Sequence, residues 1–496
     1  MKKRMLLFLL ALEIVLLACS GGDVAGGASG DAGVVAIKDR KIAGVTQKGP
    51  FLTGSSVTIQ ELDGQTLVQT GKSFKAFVKN NQGDFAIKDV SLVSQYALLE
   101  VEGYFRNEIT GKNSDGIIQL NALTDLRKRN HVNVNLLTHL EAGRILNLVQ
   151  KHGLSVEVAK KQAEQELFTS FGFMNENTVP EDMDIFSEKN GGAMLLAVSV
   201  LMLQDSSSEA DFSERMSKVA FSFAENGMWS GTDRAEIADW AVYSEVANGS
   251  DLSVLQRVRK NLESWNESVP PFETYINLFW SNEYGLGPCS DANFHKVRPN
   301  INENSLFYLD EFVCNSNHRW SLIAYRENAG DLNVAGVYWA PRNVGCEKQQ
   351  SLSGYYPGSD MALKREKMVK KQCIVYGGYF YAYEASSVCP DGYRLPTREE
   401  AQALIDAYGG SEMAAVGLQS VDGFAAVKGG RIARVAYGLD YTNNIAEEYK
   451  SVHDVGEFWT STSESEPRYF LNIGSNGAFV DGGDYSRRSV RCVRNF

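Results

Sequence analysis

The sequence predicts a multidomain α+β protein, because the apolar pattern and the placement of cysteines both change along its 496 residues. Residues 41–131 alternate apolar and polar residues between Gly and Asn turns, which is typical of a β-sandwich. Residues 132–285 carry apolar residues at helical spacing and predict a central α-helical bundle. Six of the seven cysteines follow this bundle, which indicates a C-terminal α+β part stapled by disulfides.

The predicted β-sandwich consists of short strands that end at recognisable turns. Residues 55–62 alternate at period two and lead into Asp63-Gly64, which is a hairpin signal. Three stretches resemble the transthyretin-like repeats of bacterial surface proteins, namely residues 49–63, 83–90 and 96–111. This resemblance implies a structural or docking module.

The helical segment is divided by capping residues and breaks. Ser155 is placed to cap a second helix, and Asp233 is placed to cap a later one. Residues 193–203 are almost wholly apolar but too few to span a bilayer, which takes about 20 residues. We therefore expect them to form a buried helix at the centre of the bundle. We expect Glu181 and Asp182 to lie in a solvated acidic turn.

The N-terminus has the features of an export signal. Residues 1–4 are basic, and residues 5–18 form a mostly apolar run that is too short for a membrane anchor. The run ends in Leu-Leu-Ala-Cys, which resembles the bacterial lipobox. This resemblance implies a signal peptide at 1–18 and lipidation of Cys19 by acyl chains such as palmitate. The alternative is an ordinary secretory signal with a chance cysteine.

The expected location follows from the lipobox. Residues 19–40 are rich in small and polar residues, so we expect a flexible tether between lipid and body. The protein would be exported and held in the outer membrane or at the cell surface, with the membrane as a partner through the lipid on Cys19. Nucleic acid is not expected as a partner, because the net charge is −12 and phosphate binding needs a basic footprint.

Catalytic motifs are not recognisable in the sequence. The six histidines are scattered, and no HExxH, GxSxG or P-loop occurs. We therefore expect neither enzyme activity nor a cofactor. His139 is expected on a helix face or in the core. An arginine cluster near the C-terminus could bind an acidic partner, but salt bridges to the acidic body are favoured; it comprises Arg487, Arg488, Arg491 and Arg494.

Residues 329–496 carry a series of separated motifs. They are the segments 343–346, 372–381, 389–397, 458–462 and 489–494. Together they resemble the Fibrobacter succinogenes major paralogous domain. The resemblance implies a C-type-lectin-like fold, related to that of formylglycine-generating enzymes. Thr397 and Glu400 form a capping box for one helix of this domain. Residues 286–328, which precede it, are predicted to form a small disulfide-linked β unit.

The resemblance also implies how the cysteines pair. The implied disulfides are Cys389–Cys492, Cys346–Cys373 and Cys289–Cys314. Six cysteines allow 15 pairings, and the alternative of a metal site lacks zinc spacing. The calcium and sugar motifs of C-type lectins are altered here, since Arg468 and Ser461 replace residues that would ligate the ion. Asp481 and Asp484 are a weak calcium candidate, for which a polar turn is the favoured interpretation.

The lipobox and the family resemblance together predict a non-catalytic surface lipoprotein. It would bind a glycan or a protein, not identified by the sequence, or mediate adhesion through its C-terminal lectin-like domain. The first alternative is an envelope scaffold that recognises another protein through the β-sandwich. The second alternative is an enzyme of the formylglycine-generating type, which would need an exposed reactive thiol.

Overall fold

The computed structural model describes residues 33–174, 178–189, 191–205, 208–246, 252–323, 330–345, 375–419, 424, 426, 431–436, 445–450, 455–461, 469–482 and 486–495. Within these ranges the chain has a mixed α+β fold with several sheets and ten helices. The predicted signal peptide and four predicted site residues lie outside the described residues, namely Cys19, Cys346, Cys373 and Asp484.

Seven strands form two sheets at the start of the described chain. One sheet has the strand order β4-β1-β7 and the other has the order β3-β2-β5-β6. The alternation at residues 55–62 is present, because Val57 and Ile59 of β2 are fully buried while Thr58 between them is half-buried. The strands are β1 (Ile37–Gln47), β2 (Ser56–Leu62), β3 (Gln69–Phe77), β4 (Asp84–Leu92), β5 (Tyr96–Gly103), β6 (Ile118–Asp125) and β7 (Val134–Asn135).

The first strand begins earlier than the sequence predicted. Residues 37–40, which we assigned to the tether, form the start of β1. Ile37 is buried there and pairs with Leu92 of β4. Residues 34–37 are all apolar and residues 38–41 are all charged, so the sequence shows no alternation here, and the pairing with β4 defines the strand.

Seven helices follow the strands. Ser155 caps α2, as predicted, by accepting a hydrogen bond from the Val158 amide. For α5 the cap is Ser230 instead of Asp233, because the helix begins three residues earlier and Asp233 occupies its first turn. The helices are α1 (Leu136–Gln150), α2 (Val156–Ser170), α3 (Gly192–Leu203), α4 (Glu209–Asn226), α5 (Gly231–Glu245), α6 (Val254–Glu263) and α7 (Phe272–Glu283).

Helix α3 is the most apolar helix and is buried on all sides. All of its residues except Ala193 are buried. It shares one continuous hydrophobic core with the strands, the other helices and the segment up to Tyr379. No helix in the described part of the chain is long and apolar enough to cross a membrane.

The C-terminal half consists of short elements in several small sheets. A three-stranded sheet has the order β10-β9-β8, and it comprises β8 (Val297–Pro299), β9 (Glu311–Cys314) and β10 (Trp320–Leu322). The later strands are β11 (Leu332–Val334), β12 (Val337–Trp339), β13 (Tyr393–Arg394), β14 (Arg431–Ala436), β15 (Ile445–Lys450), β16 (Val455–Thr460), β17 (Tyr469–Gly474), β18 (Gly477–Gly482) and β19 (Val493–Arg494). The remaining helices are α8 (Ala382–Ala385), α9 (Arg398–Ala407) and α10 (Ser411–Gly417).

The last strand, β19, lies in one sheet with the first two strands after residue 330 and pairs with the second of them, β12. The sheet order is β11-β12-β19-β13, and Trp339 of β12 pairs with Val493 of β19. The Cys389–Cys492 disulfide, called here the C-terminal disulfide, fixes β19 next to the loop before β13. Helix α9 begins at the predicted capping box, with Thr397 accepting from the Glu400 amide.

Candidate functional site

A stacked tyrosine pair lies on the surface at helix α8. The rings of Tyr381 and Tyr383 are nearly parallel, with centroids 5.4 Å apart and an angle of 15° between their planes. Tyr381 is buried, whereas 61% of Tyr383 is exposed. We call these two residues the tyrosine platform. An exposed aromatic face of this kind can stack on the apolar face of a sugar ring or on another aromatic group.

The tyrosine platform is held by the strands behind it. The neighbouring Phe380 exchanges two backbone hydrogen bonds with Arg488, at 2.9 and 3.0 Å. The indole nitrogen of Trp459 donates to the Phe380 carbonyl at 2.7 Å. The guanidinium of Arg487 lies 4.3 Å from the centre of the Tyr381 ring, within cation–π range. The platform is therefore fixed to two parts of the C-terminal chain and not carried on an isolated loop.

A glutamate closes the turn at the start of α8. The Tyr381 amide donates to Glu384 Oε2 at 2.7 Å. The other carboxylate oxygen is sealed from solvent, so this side chain orients the turn and does not face a ligand. The aromatic face of Tyr383 is thus the part of the platform that is presented outward.

The arginine cluster predicted near the C-terminus is mostly internal. Arg488 is buried and pairs with buried Glu457 at 2.6 Å. Arg494 is exposed and pairs with Asp331 at 2.5 Å. Arg491 is buried and donates to Asn343 Oδ1 and to backbone carbonyls. With Arg487 placed against Tyr381, the four arginines hold the fold together and do not form one exposed basic patch.

The structure joins two of the cysteine pairs that the resemblance implied. Cys289 and Cys314 form a disulfide with a Cα–Cα distance of 5.4 Å. The C-terminal disulfide has a Cα–Cα distance of 5.9 Å. The remaining implied pair, Cys346–Cys373, lies outside the described residues.

The calcium candidate is not assembled by the described residues. Asp481 lies at the end of β18, is exposed, and accepts a hydrogen bond from the Gly482 amide. Asp484 falls outside the described ranges, so the pair remains a prediction.

A buried carboxylate cluster was missed by the sequence reasoning. Glu181 was expected in a solvated turn, and this was wrong, because its side chain is fully buried. It lies with Glu141 and Glu164 in a group whose carboxylate oxygens are within 4.8 Å of one another, next to Lys160. The residues are distant in sequence and come from three elements, so no local pattern could have revealed them.

A second buried polar group lies between β1 and α3. Lys48 Nζ is 2.7 Å from Glu108 Oε2 and 3.1 Å from Ser199 Oγ. Ser199 Oγ also lies 2.6 Å from Glu108 Oε1. A lysine beside a serine can activate a nucleophile, and burial lowers the pKa of Lys48. All three side chains are sealed from solvent, however, so the group acts as an internal crosslink.

His139 lies on α1, as expected for a helix-face residue. It is half-buried beside a cavity of about 390 Å³, and its Nδ1 is sealed from solvent without a hydrogen-bond partner. Burial lowers the pKa of His139 to about 4, so the ring is neutral at pH 7. A neutral imidazole fits this position, because Phe212 and Met216 line the same cavity.

In comparisons of this chain with known proteins, no family model, no curated protein and no solved structure matched it.

Proposed function

We propose that this chain is an exported, lipid-anchored surface protein that binds a glycan through its C-terminal part, without catalysing a reaction. The observation that carries the binding role is the exposed ring of Tyr383, stacked on Tyr381 and held from behind by Arg487. Aromatic faces of this kind bind sugars by contact with their C–H groups. The lipobox at Cys19 supports the anchor and the location.

The finer architecture belongs to the same proposal. Residues 41–131 would form a transthyretin-like β-sandwich, residues 132–285 an α-helical bundle, and residues 286–328 a small disulfide-linked unit. Residues 329–496 would be a Fibrobacter succinogenes major paralogous domain with a C-type-lectin-like fold. The pairing of β12 with β19 supports this assignment, because it brings the two ends of that domain together, and so does the C-terminal disulfide, which joins the two cysteines that the resemblance implied.

A glycan array tests the binding role. The purified chain is applied to an array of glycans and cell-wall polysaccharides, beside a Tyr383→Ala variant. The control is Tyr104→Ala, because Tyr104 is also an exposed tyrosine, at 48%, but lies outside the C-terminal part. We expect binding by the wild type and the control, and a loss of about tenfold or more in Tyr383→Ala. Equal binding by all three proteins, or binding to no glycan, contradicts the proposal.

The second candidate is an envelope scaffold that docks another protein on the N-terminal sheets. It is favoured by β3, which is the edge of its sheet and carries mostly exposed side chains, including Phe77. An exposed edge strand can add a strand from a partner. A protein partner from envelope extract that Tyr383→Ala retains and Phe77→Asp loses would favour this candidate over glycan binding.

The enzyme alternative depends on a free thiol. We propose that Cys19 carries the lipid and that the other six cysteines are paired, which leaves no thiol for catalysis. Titration of the denatured mature protein with a thiol reagent should therefore detect no free thiol. One or two free thiols per chain would reopen the enzyme alternative.

A further inference from the structure

Three carboxylates and one lysine meet where α1, α2 and the turn Pro180–Asp182 come together. Glu141 lies on α1, Glu164 on α2, and Glu181 in the turn. One carboxylate oxygen from each lies within 4.8 Å of the other two. Lys160 of α2 points its ammonium group into the same space. We call this set the carboxylate cluster.

Lys160 pairs with only one oxygen of Glu141 and one of Glu181 in the carboxylate cluster. Its Nζ lies 2.8 Å from Oε1 of Glu141 and 2.8 Å from Oε1 of Glu181, while Glu164 Oε1 is 3.6 Å away. The second oxygens, Glu141 Oε2 and Glu181 Oε2, have no hydrogen-bond partner and are sealed from solvent. Both side chains are fully buried. Two buried acceptors are therefore left without a donor or a cation, which is costly in a protein interior.

The carboxylate cluster carries more negative than positive charge. Three carboxylates and one ammonium group leave two negative charges in a largely buried site. Arg129, which lines the same groove, is engaged by the partly exposed Asp182. A divalent cation would bring the carboxylate cluster to neutrality.

A groove borders part of the carboxylate cluster. A cavity of about 800 Å³ is lined by Lys160, Glu164 and Glu181, together with Phe168 and Phe173. Carboxylate oxygens within 4.8 Å of one another suit an ion held at about 2.3–2.6 Å from each. The groove leaves room for water to complete the coordination. Oxygen ligands alone favour hard cations such as Ca²⁺, Mg²⁺ and Mn²⁺.

We propose that the carboxylate cluster binds one hard divalent cation. The ligands are one carboxylate oxygen each from Glu141, Glu164 and Glu181, while Lys160 stays paired with Glu141 and Glu181. The ion would join α1, α2 and the turn Pro180–Asp182. The turn is also tied to the segment before β7, because the Glu181 carbonyl accepts a hydrogen bond from the Asn133 amide at 2.9 Å. This role is independent of glycan binding, which we assign to the C-terminal part.

The test uses the full chain, purified in detergent and stripped of metal with a chelator. CaCl₂, MgCl₂ and MnCl₂ are added separately, and binding is followed by isothermal titration calorimetry and by the melting temperature. We expect one site per chain with a Kd on the order of 1 mM or tighter for at least one ion, and a melting temperature that rises with its concentration. Absence of binding heat and of any melting shift with all three ions overturns the proposal.

Variants locate the site. Glu181→Gln and Glu164→Gln should each weaken binding by about tenfold or more, since each removes a charged ligand. Glu164→Gln is the safer variant, because Glu164 is partly exposed and folding depends on it less. Glu157→Gln is the matched control, because Glu157 lies on the same helix and groove but outside the cluster. Wild-type affinity in a folded Glu164→Gln variant, or equal losses in Glu157→Gln, contradicts the site.

Discussion

The buried ion pair between Arg488 and Glu457 gives the sharpest test of how the C-terminal part is held together. Arg488 Nε donates to Glu457 Oε2 at 2.6 Å, and the side chains are only 2% and 1% exposed. The guanidinium also lies 3.9 Å from the Phe470 ring centre and 4.7 Å from that of Trp459. Glu457→Gln keeps the shape of the side chain but removes the negative charge that pairs with the buried guanidinium. Breaking one partner of such a pair costs about 3–5 kcal/mol.

The two aromatic contacts lower this cost, because each cation–π contact contributes about 0.5–2 kcal/mol that the variant retains. We therefore expect Glu457→Gln to lose about 3 kcal/mol of unfolding free energy. Arg488→Met should lose a similar amount, because it removes the guanidinium that pairs with the buried Glu457 carboxylate. The double variant should lose less than the sum, with a coupling energy of about 2 kcal/mol or more.

Urea unfolding of the oxidised protein, followed by tryptophan fluorescence, measures these free energies, since Trp459 is buried against the pair. A control on an exposed pair is Lys128→Met, because Lys128 and Glu157 are both largely exposed and their ion pair should contribute less than about 1 kcal/mol. A loss below about 1 kcal/mol in Glu457→Gln, or additive losses in the double variant, would refute the argument for a strongly coupled pair.

Three further predictions concern other parts of the fold. Replacing both cysteines of the C-terminal disulfide with serine should cost about 4–5 kcal/mol, because the bond closes a loop of 103 residues; calorimetry of the two proteins measures the difference. Glu400→Gln should be destabilising at pH 7 and nearly neutral at about pH 2. Two hydrogen bonds from Arg394 hold the pKa of Glu400 below its usual value of 4.5. The ionised carboxylate therefore contributes its full stabilisation above pH 4.5 and loses it as the pH falls through the lower pKa of the folded state. Urea titrations at several pH values check this. Gly83→Ala should lower the stability more than Gly54→Ala. Both glycines have positive φ, but only at Gly83 would an added Cβ lie 2.3 Å from a backbone oxygen, that of Thr46. The melting temperatures of the two variants measure the difference.

Features set by neighbouring residues were predicted well from the sequence. The Ser155 cap and the Thr397–Glu400 capping box are present as expected, because each depends on residues within one helical turn. The cap residue predicted for α5, Asp233, was wrong, because Ser230 and Asp233 are both good cap residues. The sequence alone does not show at which of them the chain enters the helix.

Features set by distant residues could not be predicted. Lys48 is separated from Glu108 by 60 positions and from Ser199 by 151, so nothing local indicates that all three are buried together. Glu181 follows a proline in a polar segment, a pattern that predicts an exposed turn. Its burial depends on α1 and α2 closing over it. Charged residues in an interior are specified by their partners, which a linear pattern does not contain.

The C-terminal disulfide has a consequence for proteolysis. Residues 390–491 form a covalently closed loop between its two cysteines, and the exposed turns in that loop are natural cleavage sites. A single cut there leaves both fragments joined through sulfur. The nicked chain would migrate as one band without reductant and as two with it, and β19 would stay attached beside β12. Damage to the loop therefore does not release the last strand.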